Sequence, residues 1–133
     1  MTFIAKNRFF RFSLVGTGGF IIDAGVLLLL NNIAGLYWGR LISFTMAVIA
    51  TWLLNRIFTF ETIKKNKPLH KEFHQYFMAM IIGGSANYLV YATLVYFVAL
   101  IAQWPIIGVG VGSIVGLAIN YSLAKNWIFK SDD

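Results

Sequence analysis

One carboxylate stands alone inside an apolar run. Asp23 is the only charge between Phe12 and Asn31. Counted along a helix from Phe12 it lies about 16 Å in, near the middle of a bilayer. An ionised Asp there costs on the order of 2.5–3.5 kcal/mol on insertion scales. Asp23 must therefore face protein or water, either carrying a charge or proton in function or, protonated, hydrogen-bonding another helix. Gly16 and Gly19 precede it at i−7 and i−4, a stripe of small residues that lets a neighbouring helix approach. Asn87 has a similar depth in a later apolar run, with Met80 and Gly83 at the same spacings.

Two cations define a second kind of chemistry. Arg56 and Lys125 each close an apolar run, where a helix C-terminus favours positive charge. Snorkelling anchors have the same placement. Two such cations converging at one membrane boundary would suit a phosphate group, Arg binding it through a planar fork and Lys as a point charge. Arg11 enters the first run from the same side, and Asn55 is adjacent to Arg56. Asn120 lies about 7.5 Å deeper than Lys125 along a helix, placed to hydrogen-bond sugar hydroxyls.

The elements that position these residues follow from composition. Apolar residues make up 59% of the 133 and charged residues 12%, too little charge to coat a soluble surface. Continuous runs at Phe12–Asn31, Tyr37–Asn55, Tyr76–Leu100 and Trp104–Ala124 predict four transmembrane helices, with Pro105 tolerated at a helix start. The runs do not alternate as barrel strands do. The first is expected to be retained, because it carries a mid-span Asp and lacks a small-residue cleavage site. Ten of the eleven Lys and Arg lie before run one, between runs two and three, or after run four, and Arg40 alone lies on the other side. The positive-inside rule then places both termini and a central loop, residues 61–75, in the cytoplasm.

The halves repeat. Residues 51–60 align with 120–129, sharing aromatic-x-x-x-[Arg/Lys]-x-[Phe/Trp]-x-Phe, so Trp52 matches Tyr121, Arg56 Lys125, Phe58 Trp127 and Phe60 Phe129. Upstream, Gly39 matches Gly108 and Ala47 matches Gly116. In the odd helices Phe12 and Gly18-Gly19 are matched with Phe77 and Gly83-Gly84. The fold class expected is an all-α membrane protein of two parallel helical-hairpin repeats, residues 9–61 and 76–130. A groove between parallel repeats is a natural ligand site, although a duplicated hairpin also serves as a bundle with no ligand.

Enzymatic chemistry is not indicated. The five acids are Asp23, Glu61, Glu72, Asp132 and Asp133, there is no Cys, and the two His lie outside the runs. No catalytic constellation, cofactor or metal site is expected. Gly16-Thr-Gly-Gly19 lacks the strand and Lys-Ser/Thr of a phosphate loop. Gly108, Gly112 and Gly116 read as a helix-packing face. The sequon Asn120-Tyr-Ser122 lies at a cytoplasmic helix end. Topology accounts for the basic balance, so no nucleic-acid partner is expected.

At Arg11-Phe12, Val15-Gly16, Asp23, Leu54-Asn55-Arg56, Phe58-x-Phe60, Asn120-Tyr121 and Trp127-x-Phe129, the sequence resembles the GtrA-like family of small four-helix bacterial membrane proteins. The resemblance runs from about Arg11 to Phe129. Ala124-Lys125 stands where the family's second repeat often has Asn-Arg. The family implies a role in cell-surface polysaccharide synthesis or glycosylation. That role is translocation of a polyprenyl-phosphate-linked sugar, or of the polyprenyl phosphate itself, across the bacterial cytoplasmic membrane for a membrane glycosyltransferase. On that reading Arg56, Lys125 and Arg11 hold the phosphate, and Asp23, Asn55, Asn87 and Asn120 line the path. Two alternatives stay open: a non-transporting anchor for a glycosyltransferase, and a small proton-coupled exporter using Asp23. Four helices make a thin bundle, so a homo-oligomer, most simply a dimer, is expected.

Overall fold

A computed structural model describes residues 7–63 and 65–130, apart from the side chains of residues 31, 36 and 37. Lys6, Lys64, Asp132 and Asp133, counted above for charge, lie outside them. Four helices are long and apolar enough to cross a membrane: α1 (Arg8–Leu30), α2 (Trp38–Thr59), α3 (Leu69–Phe97) and α5 (Pro105–Ile128). The short α4 (Ala99–Gln103) lies between the last two. No strand occurs among the described residues, and the protein is an all-α, four-helix membrane protein. Its contacts define two compact units, divided between Leu69 and His70.

The first unit is the α1–α2 hairpin. Asn7 caps α1, its side chain accepting from the Phe10 amide at 3.2 Å. The chain reverses at Gly35, whose φ of 77° and ψ of 178° are open to glycine alone. Phe12, Val15 and Gly19 of α1 are buried, as are Gly39, Ser43, Ala47, Thr51 and Asn55 of α2. That α2 set recurs every fourth residue and is mostly small, so the two helix backbones approach closely. A Cβ on Gly19 would strike the Thr51 methyl group. The Thr51 hydroxyl is turned back on its own helix, donating to the Ala47 and Val48 carbonyls at 2.9 and 3.1 Å. At the other end Phe12 packs edge-on against Phe60, ring centroids 6.5 Å apart, a contact worth about 0.5–1.5 kcal/mol beyond area burial.

The second unit repeats this packing with different chemistry. Tyr76, Ala79 and Gly83 of α3 are buried, as are Gly108, Gly112, Gly116, Ala124 and Ile128 of α5. A Cβ on Gly116 would lie 2.9 Å from the Gly83 carbonyl oxygen, and one on Gly112 2.5 Å from the Asn87 amide oxygen. The three glycines are a packing face, as their spacing implied. Tyr76 meets Phe129 edge-on at 6.5 Å.

These contacts correct the register expected for the odd helices. Phe12 meets Phe60 as Tyr76 meets Phe129, and Gly19 meets Thr51 as Gly83 meets Asn120. Phe12 therefore corresponds to Tyr76, not Phe77, and Gly19 to Gly83, not Gly84. Asp23 then corresponds to Asn87. The 69-residue offset of the even helices holds: Gly39, Ser43, Ala47 and Thr51 map onto Gly108, Gly112, Gly116 and Asn120. Gly16 does not belong to the packed stripe, since nothing lies within 4 Å of a Cβ placed there.

Helix boundaries also move. α3 begins at Leu69, so part of the polar stretch 61–75 is helical, and Glu72 in its first turn is buried. The run ending at Leu100 breaks at Val98, where the backbone is extended (φ −116°, ψ 104°). Both α2 and α5 finish in a π turn, Asn55–Thr59 and Ala124–Ile128. Each is closed by an amide donating five residues back, Phe60 to the Asn55 carbonyl at 2.8 Å and Phe129 to that of Ala124 at 2.7 Å.

Large apolar side chains cover the outward faces of all four spans, with Leu28 and Leu29 each 77% exposed. In water each such side chain would forgo roughly 1.5–3 kcal/mol of burial, whereas lipid accepts it. In the first hairpin several hydroxyls are satisfied by their own helix, as where Thr17 donates to the Ser13 carbonyl at 3.0 Å and Thr45 to that of Leu41 at 2.8 Å. Nothing lies within 4 Å of a Cβ on Gly35, so its substitution is a pure test of backbone conformation. Gly35→Ala should cost about 1–3 kcal/mol, read as a lower melting temperature of the purified protein.

Candidate functional site

Hairpin one carries two polar clusters, one toward each end. At the Gly35 end Asp23 of α1 meets Arg40 and Ser43 of α2. A single guanidinium nitrogen of Arg40, Nη1, donates to both Asp23 carboxylate oxygens at 2.6 Å. The Ser43 hydroxyl donates to Asp23 Oδ1 at 2.7 Å and lies 3.1 Å from the Arg40 carbonyl. The Asp23 side chain is 15% exposed and that of Arg40 57%. Asp23 is thus not an acid without a partner. The cation with no assigned role in the sequence, Arg40, is its partner. The signal was available: Arg40 is the one cation outside the three basic clusters, and Asp23 the one acid inside an apolar run.

At the opposite end Arg11 donates through Nη1 to Glu61 Oε1 at 2.9 Å and to the Phe58 carbonyl at 2.7 Å, and its guanidinium lies 5.2 Å from the Phe58 ring centroid. Arg8 donates to the Thr62 hydroxyl at 2.9 Å, and Lys65 to the Phe60 and Ile63 carbonyls at 2.8 and 3.1 Å. Arg11 thus ties α1 to the end of α2. Asn55 is buried inside this hairpin, its amide oxygen accepting from the Thr59 hydroxyl at 2.7 Å. There it braces the π turn. Arg56 is the second residue of that turn and half-buried.

In hairpin two Lys125 holds the same second position in the other π turn and is exposed. Asn87 and Asn120 are half-buried on facing helices. Asn87 packs on Gly112, and the Asn120 amide lies against Gly83 so closely that no Cβ fits there. The Asn120 Oδ1 atom is buried without a hydrogen-bond partner among the described residues, and it lies where a Cβ at Gly83 would sit. Sequence reasoning missed three residues of this inventory: Arg40, Ser43 and the buried Glu72. No group of three metal-ligating side chains occurs among the described residues.

Four lipid-facing helices in two like hairpins, with polar side chains set between the helices of each, define a small polytopic membrane protein. The chain matches the family described as GtrA/DPMS, transmembrane domain, over residues 11–129, and it belongs to that family. No curated protein matches it.

Proposed function

We propose that this chain is a non-catalytic carrier that moves a polyprenyl phosphate, free or bearing a sugar, across the bacterial cytoplasmic membrane to supply a membrane glycosyltransferase. The observation that carries the reading is the equivalence of Arg56 and Lys125. Each hairpin places one cation at the second position of its terminal π turn. Each cation, within its own hairpin, suits a phosphate, Arg56 through a fork and Lys125 as a point charge. Within hairpin one Arg11 lies at the same end as Arg56, and within hairpin two Asn87 and Asn120 offer amides to sugar hydroxyls. Family membership supports the same class of cargo. A homodimer would supply the enclosing surface that four thin helices lack.

The exporter reading loses ground at Asp23. Proton-coupled export needs that carboxylate open to proton and cargo, whereas Arg40 and Ser43 occupy it. The anchoring reading differs in one measurable respect, because an anchor has no need to bind the lipid. Purified protein titrated with a polyprenyl phosphate should show saturable binding that the dephosphorylated alcohol does not compete. Absence of binding would favour the anchor.

Orientation is part of the proposal. With Arg11, Arg56 and Lys125 at the cytoplasmic rim, a cysteine placed by Lys67→Cys should resist a membrane-impermeant thiol reagent in intact cells and react after permeabilisation. Labelling in intact cells would reverse the topology and put the basic rim outside.

A further inference from the structure

Arg40 and Arg56 lie on the same helix, 16 residues apart, or about 24 Å along its axis. That separation approaches the thickness of the hydrocarbon core. Arg40 follows Trp38 by two residues, and Trp38 is 69% exposed, as an interfacial tryptophan would be. Only Nη1 of Arg40 is engaged. Nε and Nη2 have no hydrogen-bond partner among the described residues, and more than half of the side chain is open. Asp23, by contrast, is held from behind by Ser43 and largely covered.

Hairpin two shows that this cluster is not needed to fold a hairpin of this kind. The positions equivalent to Asp23, Arg40 and Ser43 are Asn87, Val109 and Gly112. They carry no charge, yet the same buried positions pack in the same register. The ion pair therefore serves something particular to hairpin one.

We propose that Arg40 is a second phosphate-binding site, on the side of the membrane opposite Arg56, in which Asp23 is a resident competitor for the bound phosphate. The inference rests on the phosphate-carrier reading and assigns the side on which the cargo leaves. A carboxylate presenting two oxygens to one guanidinium nitrogen occupies a donor that a phosphate would use. The exposed edge of Arg40 receives the arriving anion, and Asp23 then reclaims Nη1, so the phosphate is held weakly enough to leave. A site that must both accept and discharge its ligand needs such limited affinity. A bare arginine would hold the phosphate longer.

The test uses detergent-purified protein carrying Arg56→Ala, which silences the inner rim, titrated separately with geranyl phosphate and with inorganic phosphate. Asp23→Asn in that background should bind geranyl phosphate about tenfold more tightly. Asp23→Asn combined with Arg40→Gln, which keeps the pair neutral and hydrogen-bonding, should lose the gain. Equal binding before and after Asp23→Asn, with both probes, would overturn the proposal, as would a gain that survives Arg40→Gln. An Arg40-dependent gain seen with inorganic phosphate alone would keep the site and assign it to free phosphate. An Arg40-dependent gain with geranyl phosphate, in a protein whose unmodified form does not bind long-chain polyprenyl phosphate, would keep the site and remove the carrier reading.

Discussion

Arg56→Ala should weaken polyprenyl-phosphate binding by about 10- to 150-fold. The loss is that of one charge-assisted hydrogen bond, about 1.5–3 kcal/mol. Arg56→Lys should fall between the two, because it keeps the charge and loses the planar fork. Lys125→Ala should cost less than Arg56→Ala, since a point charge gives up no bidentate geometry. Equilibrium binding in detergent, with each variant matched for monodispersity, measures all three. Unchanged affinity in Arg56→Ala would remove Arg56 from the phosphate site and leave it a boundary anchor at the end of α2.

Gly83→Ala should destabilise hairpin two by about 1–3 kcal/mol, the usual cost of overpacking. The new methyl group would fall on the Asn120 amide, and α5 already lies against the Gly83 carbonyl. Asn120→Ala alone removes an amide whose oxygen is buried without a hydrogen-bond partner among the described residues. It should therefore cost little or raise stability. The double variant makes the room the methyl group needs, so its stability should exceed that of Gly83→Ala, with a coupling of about 0.5–3 kcal/mol. Thermal unfolding of the four proteins closes the cycle. Additive effects would mean that these two residues do not touch.

Much of the scaffold was legible because hydropathy and spacing act locally. The four apolar runs became the four spans, each within several residues of its expected limits. The paired endings at 51–60 and 120–129 showed as a sequence repeat because each must form the same π turn and seat the same terminal aromatic ring. The glycine ladder of α5 was legible for a similar reason: a four-residue spacing of small residues has one dominant physical use in a membrane.

What stayed hidden depended on partners across a turn. Nothing local links Asp23 to Arg40, 17 residues away, until Gly35 reverses the chain. The register of the odd helices was displaced by one residue because Gly18-Gly19 and Gly83-Gly84 offer two choices, and only the facing Thr51 and Asn120 select between them. Glu72 looked like a loop residue because its neighbours are Lys71, His70 and His74, yet it is 1% exposed. Its burial comes from α3 starting at Leu69, directly after Pro68, a reach of helix that a hydropathy window cannot see.

The most direct test of the carrier reading is lipid translocation by the protein alone. A fluorescent polyprenyl phosphate is placed in both leaflets of vesicles and exposed to a membrane-impermeant reductant. Vesicles without protein should lose only the outer-leaflet signal. Vesicles containing this chain should lose signal from both leaflets, with Asp23→Asn slowed and Arg56→Ala nearly inactive at equal reconstitution. Loss confined to the outer leaflet in the presence of well-folded, lipid-binding protein would contradict translocation and leave a lipid-binding partner of a glycosyltransferase in its place.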